Sequence, residues 1–109
     1  MSQPNLNEFF EKAREAQTKL QELQRELAIR QVEGTAGGGM VTAVATGGLR
    51  VLEVRIEPGL IESGDRDMLQ DLVAAAVNAA LANAQHMIQE EMQRASSGLA
   101  IPMPGVEPG

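Results

Sequence analysis

Apolar side chains recur along residues 6–30 with the spacing of a helix that packs through one narrow stripe. The positions lie alternately three and four residues apart, which is the heptad spacing of a coiled-coil-like seam. Asn5 followed by Glu8 resembles a capping box at the start of this helix. The pattern predicts a helix of about 25 residues, roughly 38 Å long. Its seam would consist of Leu6, Phe9, Ala13, Ala16, Leu20, Leu23 and Leu27.

Three β-prone runs separated by glycines follow, at about 29–35, 40–46 and 49–57. In the third run Leu52, Val54 and Ile56 alternate with charged residues, which predicts one buried and one polar face. Gly47-Gly48 suits a tight hairpin, because glycine tolerates positive φ. Pro58-Gly59 is expected to stop the last strand. The three runs predict an antiparallel meander.

A second long helix is expected from a cap at Ser63 or Asp65 to about Ser96, with Gly98 as its C-terminal cap. Its middle is dense in alanine, which permits close approach to a sheet. Pro and Gly are frequent after it, so the chain divides into one α+β domain over residues 1–98 and an extended tail over 99–109. The stripe predicted to be buried consists of Leu69, Leu72, Val73, Ala76, Val77, Ala80, Ala84, Met87, Ile88 and Met92.

Both predicted helices are longer than the sheet on which they pack. A strand of five or six residues spans about 17–20 Å, whereas the helices would span about 38 and 48 Å. A three-stranded sheet also leaves two open edges, which native proteins rarely expose. Because a second copy would remove an open edge and could cover the overhanging helices, the pattern favours a homodimer.

Composition and charge narrow the classes of function. The chain contains no cysteine, which excludes disulfides and thiolate metal sites. Its formal net charge is −6, and only the first 31 residues, with five basic and five acidic side chains, escape the acidic excess. Anionic lipids repel such a chain, which argues against a membrane role. Since no apolar run has the length of a signal peptide or a spanning helix, a cytoplasmic location is expected.

The residues offer no catalytic constellation. His86 is the single histidine, so it has no second base or ligand cluster around it, and we expect it on the polar face of the second helix. Asp65, Asp67 and Asp71 are interpreted as carboxylates that suit the positive end of a helix rather than as a cation site. The glycines at 37–39 lack the Lys-Ser/Thr of a phosphate loop and are interpreted as a turn. We therefore predict no enzyme activity, no cofactor, no metal and no small-molecule substrate.

Basic residues are the candidates for nucleic-acid contact, because DNA is bound largely through its phosphates. Each cation of the first helix follows a glutamate by three or four residues, the favourable order for ion pairs worth about 0.2–0.5 kcal/mol each. Such exposed pairs are weak enough for phosphates to displace. A solvated, salt-bridged helix face and a phosphate-binding face both stay open. The candidate DNA-binding residues are Lys12, Arg14, Lys19, Arg25 and Arg94.

Four local strings carry a family resemblance. They are GGGMVTAVATGG at 37–48, VRIEPGLI at 54–61, DRDMLQDLVAAAVNAALANA at 65–84 and SSGLAIPMPG at 96–105. With these strings the sequence resembles the YbaB/EbfC family of nucleoid-associated proteins. The resemblance implies homodimers whose sheets join and whose helices project like tweezers. It also implies binding of duplex DNA and a location at the nucleoid.

Two functions follow as hypotheses. The first is a homodimeric nucleoid-associated protein that binds duplex DNA mainly through the phosphate backbone, with weak sequence preference. The alternative is a non-enzymatic protein-interaction adaptor or small holdase that uses coiled-coil-like helical arms. Met87 and Met92 suit the alternative, since methionine adapts to varied apolar surfaces, but they suit a filled seam between helices equally. The expected partners are a second copy of the chain and duplex DNA.

Overall fold

The computed structural model describes residues 5–99, so the predicted tail, apart from Leu99, lies outside the described residues. The elements follow in the order long helix, three strands, short helix and long helix, which confirms the predicted α+β class. A short 3-10 turn over Gly37–Gly39 links the first two strands. The elements are α1 (Leu6–Ile29), β1 (Gln31–Ala36), β2 (Val41–Thr46), β3 (Val51–Ile56), α2 (Pro58–Glu62) and α3 (Arg66–Leu99).

The first helix, α1, begins and ends close to where the heptad pattern predicts. Oδ1 of Asn5 accepts hydrogen bonds from the backbone N–H groups of Asn7 (3.1 Å) and Glu8 (3.4 Å). These bonds satisfy two of the donors that the start of a helix leaves unpaired. At the other end Arg30 is extended, with φ −69° and ψ 131°, and leads directly into β1. The chain therefore passes from helix to sheet without an intervening loop.

The three strands form the predicted antiparallel meander in the order β1-β2-β3. The turn between β2 and β3 differs from the prediction, because positive φ falls on Leu49 (60°) and on neither Gly47 nor Gly48. Gly47 is required for space instead, since a Cβ there would overlap the carbonyl of Leu27. Its N–H donates to the carbonyl of Arg30 (3.1 Å). The hairpin thus fixes the end of α1 to the sheet.

The long second helix, α3, packs across β1 and β2 through small side chains, as the alanine-rich segment predicts. Ala76 and Ala80 are fully buried there. Gly34 of β1 lies so close to α3 that a Cβ would overlap the backbone of Ala79 and Ala80. The absence of side-chain bulk on both elements therefore sets the distance between helix and sheet. The buried core consists of Val41, Ala43, Ala45, Leu60, Ala76 and Ala80.

The apolar face of β3 is exposed, and the prediction that it is buried is wrong for two of its three residues. Leu52 is 50% exposed and Val54 is 36% exposed, whereas Ile56 is half-buried. The physical reason is that α3 covers β1 and β2 and hardly reaches β3. A register shift opposite Val44 and Ala45 of β2 also places a bulge at the start of β3. Within residues 5–99, β3 consequently keeps an uncovered apolar surface.

A short helix follows β3 that the sequence analysis does not predict. Pro58 ends the strand as expected, but it also occupies the first turn of α2, where a proline costs nothing because its missing N–H would be unpaired. Leu60 of α2 is 5% exposed and belongs to the core. Through Leu60, α2 therefore extends the apolar core at one end of the sheet.

The two ends of α3 differ in how well they follow the prediction. At its start the predicted cap at Asp65 is confirmed, since Oδ1 accepts a hydrogen bond from the N–H of Met68 (3.0 Å). At its end the helix continues through Gly98 to Leu99, so the predicted C-terminal cap at Gly98 is wrong. A glycine inside a helix costs only about 1 kcal/mol relative to alanine, which a long packed helix tolerates.

α3 runs antiparallel to β1. Its C-terminal part extends beyond the sheet and lies beside the C-terminal end of α1. The protein is 78 Å long, whereas the 34 residues of α3 span about 51 Å. The difference of about 27 Å is made up largely by the part of α1 that extends beyond Leu99 of α3. We call α1 together with α3 beyond Met87 the arm. The neighbours that show the direction are Gly34 with Ala80, Glu33 with Asn83 and Arg30 with Glu91.

Candidate nucleic-acid interface

The arm is held at its root by apolar contacts. Leu27 is 2% exposed and lines a groove with Ile88 and Met92, between α1, the β2–β3 hairpin and α3. Met87 and Met92 are both half-buried. The methionines therefore fill the space between the two helices, which favours the structural interpretation of these residues over a surface for polypeptides.

The four candidate cations of α1 are exposed but do not form one patch. Successive residues of an α-helix are rotated by about 100°. Lys12 and Lys19, seven residues apart, therefore share one side, and Arg14 and Arg25, eleven residues apart, share another. The two pairs are separated by roughly 140° around the helix. α1 thus carries a lysine stripe and an arginine stripe.

The glutamates of α1 all fall between these two stripes. By the same rotation they occupy an arc of roughly 60°, while glutamines lie on the other flank of the arginine stripe. A duplex that approaches the arginine stripe from the glutamine side meets cations and amides before it meets carboxylates. The residues of the acidic arc are Glu8, Glu11, Glu15, Glu22 and Glu26, and the glutamines are Gln17, Gln21 and Gln24.

The ion pairs predicted along α1 are not formed. Within residues 5–99 no Lys or Arg nitrogen of α1 lies within 4.0 Å of a carboxylate oxygen. The prediction of a salt-bridged helix face is therefore wrong, although residues three and four apart are neighbours on a helix, because the exposed side chains extend into solvent instead of pairing. Lys12, Arg14, Lys19 and Arg25 keep their full hydrogen-bonding capacity for another anion.

At the junction of the two helices the cations are paired, but across the arm rather than along α1. Arg30 Nη1 lies 3.6 Å from Glu91 Oε1, and Arg94 Nη1 donates to the same oxygen at 2.7 Å. The predicted pairing of Arg94 with Glu90 is wrong, since Glu90 Oε1 instead lies 3.0 Å from His86 Nε2. His86 is exposed on α3, as expected. Arg94 is therefore the one candidate cation that a carboxylate already holds.

The two edges of the sheet differ, which the sequence gives no means to foresee. At the β1 edge, Nδ2 of Asn83 donates to the carbonyl of Glu33 (2.8 Å), so α3 occupies that side. The two residues are fifty positions apart, and no local pattern links them. β3 pairs only with β2, and its outer edge lies next to the exposed Leu52 and Val54. Within residues 5–99, α3 therefore occupies one backbone carbonyl at the β1 edge, whereas no strand pairs with the outer edge of β3.

The sheet face opposite α3 is polar and internally neutralised. Arg55 Nε lies 2.6 Å from Glu53 Oε1, and its Nη1 lies 3.5 Å from Glu33 Oε1. The hydrogen bond from Arg55, together with its positive charge, lowers the pKa of Glu53 and is matched by a raised pKa of Arg55. Because Arg55 already has two carboxylate partners, this face offers no free cation for a phosphate.

Within the described part of the chain, the fold and these surfaces define a small α+β protein with an unpaired outer strand edge on β3 and a helical arm that carries separate basic and acidic stripes. Its sequence matches the YbaB/EbfC DNA-binding family over residues 1–99. The chain belongs to that family, which confirms the predicted resemblance. No helix within residues 5–99 is both long and apolar enough to cross a membrane.

Relatives with assigned names support the same conclusion. A nucleoid-associated protein of Thermoanaerobacter pseudethanolicus is 44% identical over 98 residues, covering 90% of this chain and 88% of the relative. A nucleoid-associated protein of Chlorobaculum tepidum is 42% identical over 102 residues, covering 94% and 90%. The crystal structure of an uncharacterized protein from Helicobacter pylori has a similar fold, with a TM-score of 0.58 at 18% identity, covering 71% of this chain and 89% of that one.

Proposed function

We propose that the chain binds duplex DNA as a homodimer, mainly through the phosphate backbone and with weak sequence preference, at the nucleoid in the cytoplasm. The observation that carries the proposal is the set of unpaired cations on α1 of a member of a DNA-binding family. The contacts come from side chains whose charge can reach phosphates but whose position on a smooth helix reads no base pattern. The proposed contact residues are Lys12, Arg14, Lys19 and Arg25, with Arg94 as a fifth.

α1 itself carries five glutamates and four cations. The glutamates lie in one arc on one flank of the arginine stripe, so a duplex that approaches from the glutamine flank contacts Arg14 and Arg25 before it reaches those carboxylates. Arg94 joins the interface only if a phosphate replaces Glu91, which holds it at 2.7 Å. We therefore expect Arg94 to contribute less than either residue of the arginine stripe.

Fluorescence anisotropy of a labelled duplex of about 30 base pairs, measured across a salt series, tests the proposal. Each neutralised phosphate contributes about −0.9 to the slope of log K against log salt. Arg14→Gln with Arg25→Gln should reduce the magnitude of that slope by about 1.8 per protomer. Lys12→Gln with Lys19→Gln is the matched double variant on the other stripe. The comparison between the two shows which stripe faces the phosphates.

Arg66→Gln is the control for a general loss of positive charge. Arg66 is exposed at the start of α3, about 38 Å along the helix from Glu91 at the root of the arm. Its replacement should leave the salt slope unchanged. If both stripe variants keep the original slope, α1 is not the phosphate-binding surface. If the unmodified protein shows no binding at low salt, the adaptor hypothesis becomes the better one.

The dimer is proposed to form through the open edge of β3, with the exposed Leu52 and Val54 at the interface. An uncovered strand edge offers unpaired backbone N–H and C=O groups to another strand, and the apolar side chains beside it gain from burial. Leu52→Lys should convert the dimer to a monomer in sedimentation equilibrium. Leu6→Lys is the control, since Leu6 is 65% exposed and begins α1, at the end of that helix remote from the sheet. A dimer that survives Leu52→Lys would place the interface elsewhere.

A further inference from the structure

The junction between α1 and β1 holds the backbone of Arg30 at the root of the arm. Its N–H donates to the carbonyls of Glu26 (3.1 Å) and Leu27 (3.3 Å) in the last turn of α1. Its carbonyl accepts a hydrogen bond from the N–H of Gly47 (3.1 Å) in the β2–β3 hairpin. The side chain of Arg30 therefore starts from a position that both the helix and the sheet hold in place.

A second arginine reaches the same point from α3. Arg30 Nη1 lies 3.6 Å from Glu91 Oε1, and Arg94 Nη1 donates to that same oxygen at 2.7 Å. The side chain of Glu91 is 22% exposed, whereas the other carboxylates that form ion pairs within residues 5–99 are 51–56% exposed. Two guanidinium groups from different elements therefore converge on one partly covered oxygen.

Cations outnumber carboxylates at this point. Two positive charges, on Arg30 and Arg94, surround the single negative charge of Glu91. Within residues 5–99 no other carboxylate oxygen lies within 4.0 Å of either guanidinium group. The cluster on the sheet face opposite α3 has the reverse balance, because Arg55 is shared there by two carboxylates. The junction therefore keeps a positive charge that Glu91 does not cancel.

Arg30 also continues the lysine stripe of α1. Its φ of −69° is helical, so its Cβ keeps the direction of the next position on the helix. Arg30 follows Lys12 by eighteen residues, which is about five full turns, and therefore lies on the same side of α1. Lys12, Lys19 and the junction thus form one line of cations about 27 Å long.

We propose that Arg30 and Arg94 form a phosphate-binding site at the root of the arm, and that Glu91 competes with DNA phosphate for it. The inference rests on the proposed binding of duplex DNA and adds Arg30 to the contact residues. Guanidinium groups bind carboxylate and phosphate through the same parallel N–H donors, so the oxygen of Glu91 stands where a phosphate oxygen would bind. Because exposed ion pairs are weak, Glu91 lowers the affinity of the site without closing it.

The line of cations favours a polyanion over a single acidic side chain as the occupant. Phosphates along one DNA strand follow each other at about 3.4 Å of helix rise. A strand that lies along the arm therefore passes Lys12, Lys19 and the junction site in turn. An isolated anion would contact only one of the three.

The test is fluorescence anisotropy of a labelled duplex of about 30 base pairs with the full chain at one fixed salt concentration. Glu91→Gln keeps the shape of the side chain and removes its charge, so both arginines become available. The affinity for the duplex should rise about fivefold over that of the natural chain. Glu90→Gln is the matched control, since it removes the same charge from the neighbouring position of α3, where the partner is His86. It should raise the affinity by less than about twofold.

The decisive comparison repeats both substitutions in a chain that lacks the two arginines. With Arg30→Gln and Arg94→Gln in place, Glu91→Gln should give the same gain as Glu90→Gln, because no cation is left for the carboxylate to hold. A Glu91→Gln variant that gains no more than Glu90→Gln in the otherwise natural chain would overturn the inference. A larger gain from Glu91→Gln that persists without the arginines would overturn it as well.

A second measurement needs no substitution. In NMR spectra the Nε–H signals of Arg30 and Arg94 should both shift when the duplex is added to the natural chain. The signal of Arg55, which has two carboxylate partners on the other side of the sheet, is the control and should stay in place. Unshifted signals of Arg30 and Arg94 in a chain that binds the duplex would overturn this inference and leave the proposed DNA binding standing. A natural chain that binds no duplex at low salt would overturn both.

Discussion

The substitution Gly34→Ala tests whether contact between two backbones sets the position of α3. Gly34 lies on β1 directly beneath α3. A Cβ at this position would lie 2.6 Å from the carbonyl carbon of Ala79 and closer still to the backbone of Ala80. Ordinary contacts of a Cβ begin at 3.4 Å. The helix must therefore move away from the sheet by about 0.8 Å or more to admit one methyl group.

The cost of that movement follows from the residues that now touch across the interface. Ala43, Ala45, Ala76 and Ala80 are all 0% exposed and too short to follow a receding neighbour. A gap of about 0.5–1 Å removes a quarter to a half of the dispersion energy of each contact. Overpacking of a core typically costs about 1–3 kcal/mol. Because the atoms that block the methyl group belong to backbone, we expect a loss of about 3 kcal/mol in the free energy of unfolding.

Urea unfolding followed by circular dichroism at 222 nm measures this loss, and a thermal melt should show a decrease in Tm of about 12 °C or more. All variants must be compared at one protein concentration, because association makes Tm depend on concentration. Gly59→Ala is the matched control, since nothing lies within 4 Å of a Cβ at Gly59. A Gly34→Ala variant as stable as Gly59→Ala would refute the conclusion that backbone proximity positions α3.

Three smaller changes test other contacts. Asp65→Ala should lower the free energy of unfolding in urea by about 1 kcal/mol, because the N–H of Met68 loses its cap. Thr46→Val should raise it by about 1 kcal/mol, because Oγ1 of Thr46 is buried without a hydrogen-bond partner among the described residues. Arg55→Ala should return the pKa of Glu53 upward to its ordinary range in an NMR titration. In the natural chain the pKa of Glu53 is lower in the folded than in the unfolded state. The pair with Arg55 therefore stabilises the fold fully above the unfolded-state pKa of Glu53. This stabilisation is lost as the pH falls through the folded-state pKa of Glu53.

The elements with regular apolar spacing were predictable from the sequence. The heptad positions of α1 and the alternation of β3 are local properties, and both elements occur where the pattern places them. The burial of β3 was not predictable, because alternation shows which side is apolar and not what covers it. Val54 pairs with the buried Ala43, on the side of the sheet that α3 covers, but α3 hardly reaches β3, and the register shift leaves Leu52 without a partner on β2.

The exposed position of the candidate cations on α1 was predictable from the sequence, whereas their electrostatic surroundings were not. The order of Glu and Lys or Arg along α1 indicates ion pairs three and four residues apart, yet none of these pairs lies within 4.0 Å among the described residues. The contact of Glu91 with Arg30 joins two helices that are far apart in the sequence, and no local pattern indicates it. The sequence did contain a signal for the short helix α2, which was not predicted. Pro58 is that signal, since proline is common in the first turn of a helix.

The unequal edges of the sheet set a limit on how large an assembly this fold can build. A sheet with two open edges can accept a neighbour on each side, and the second neighbour again exposes an edge, so growth has no natural end. Here the side-chain amide of Asn83 on α3 already occupies the carbonyl of Glu33 on the β1 side. When two copies join through β3, as proposed, a third copy can add only at β1, and there it must first displace that amide. Growth beyond the pair is therefore less favourable than formation of the pair.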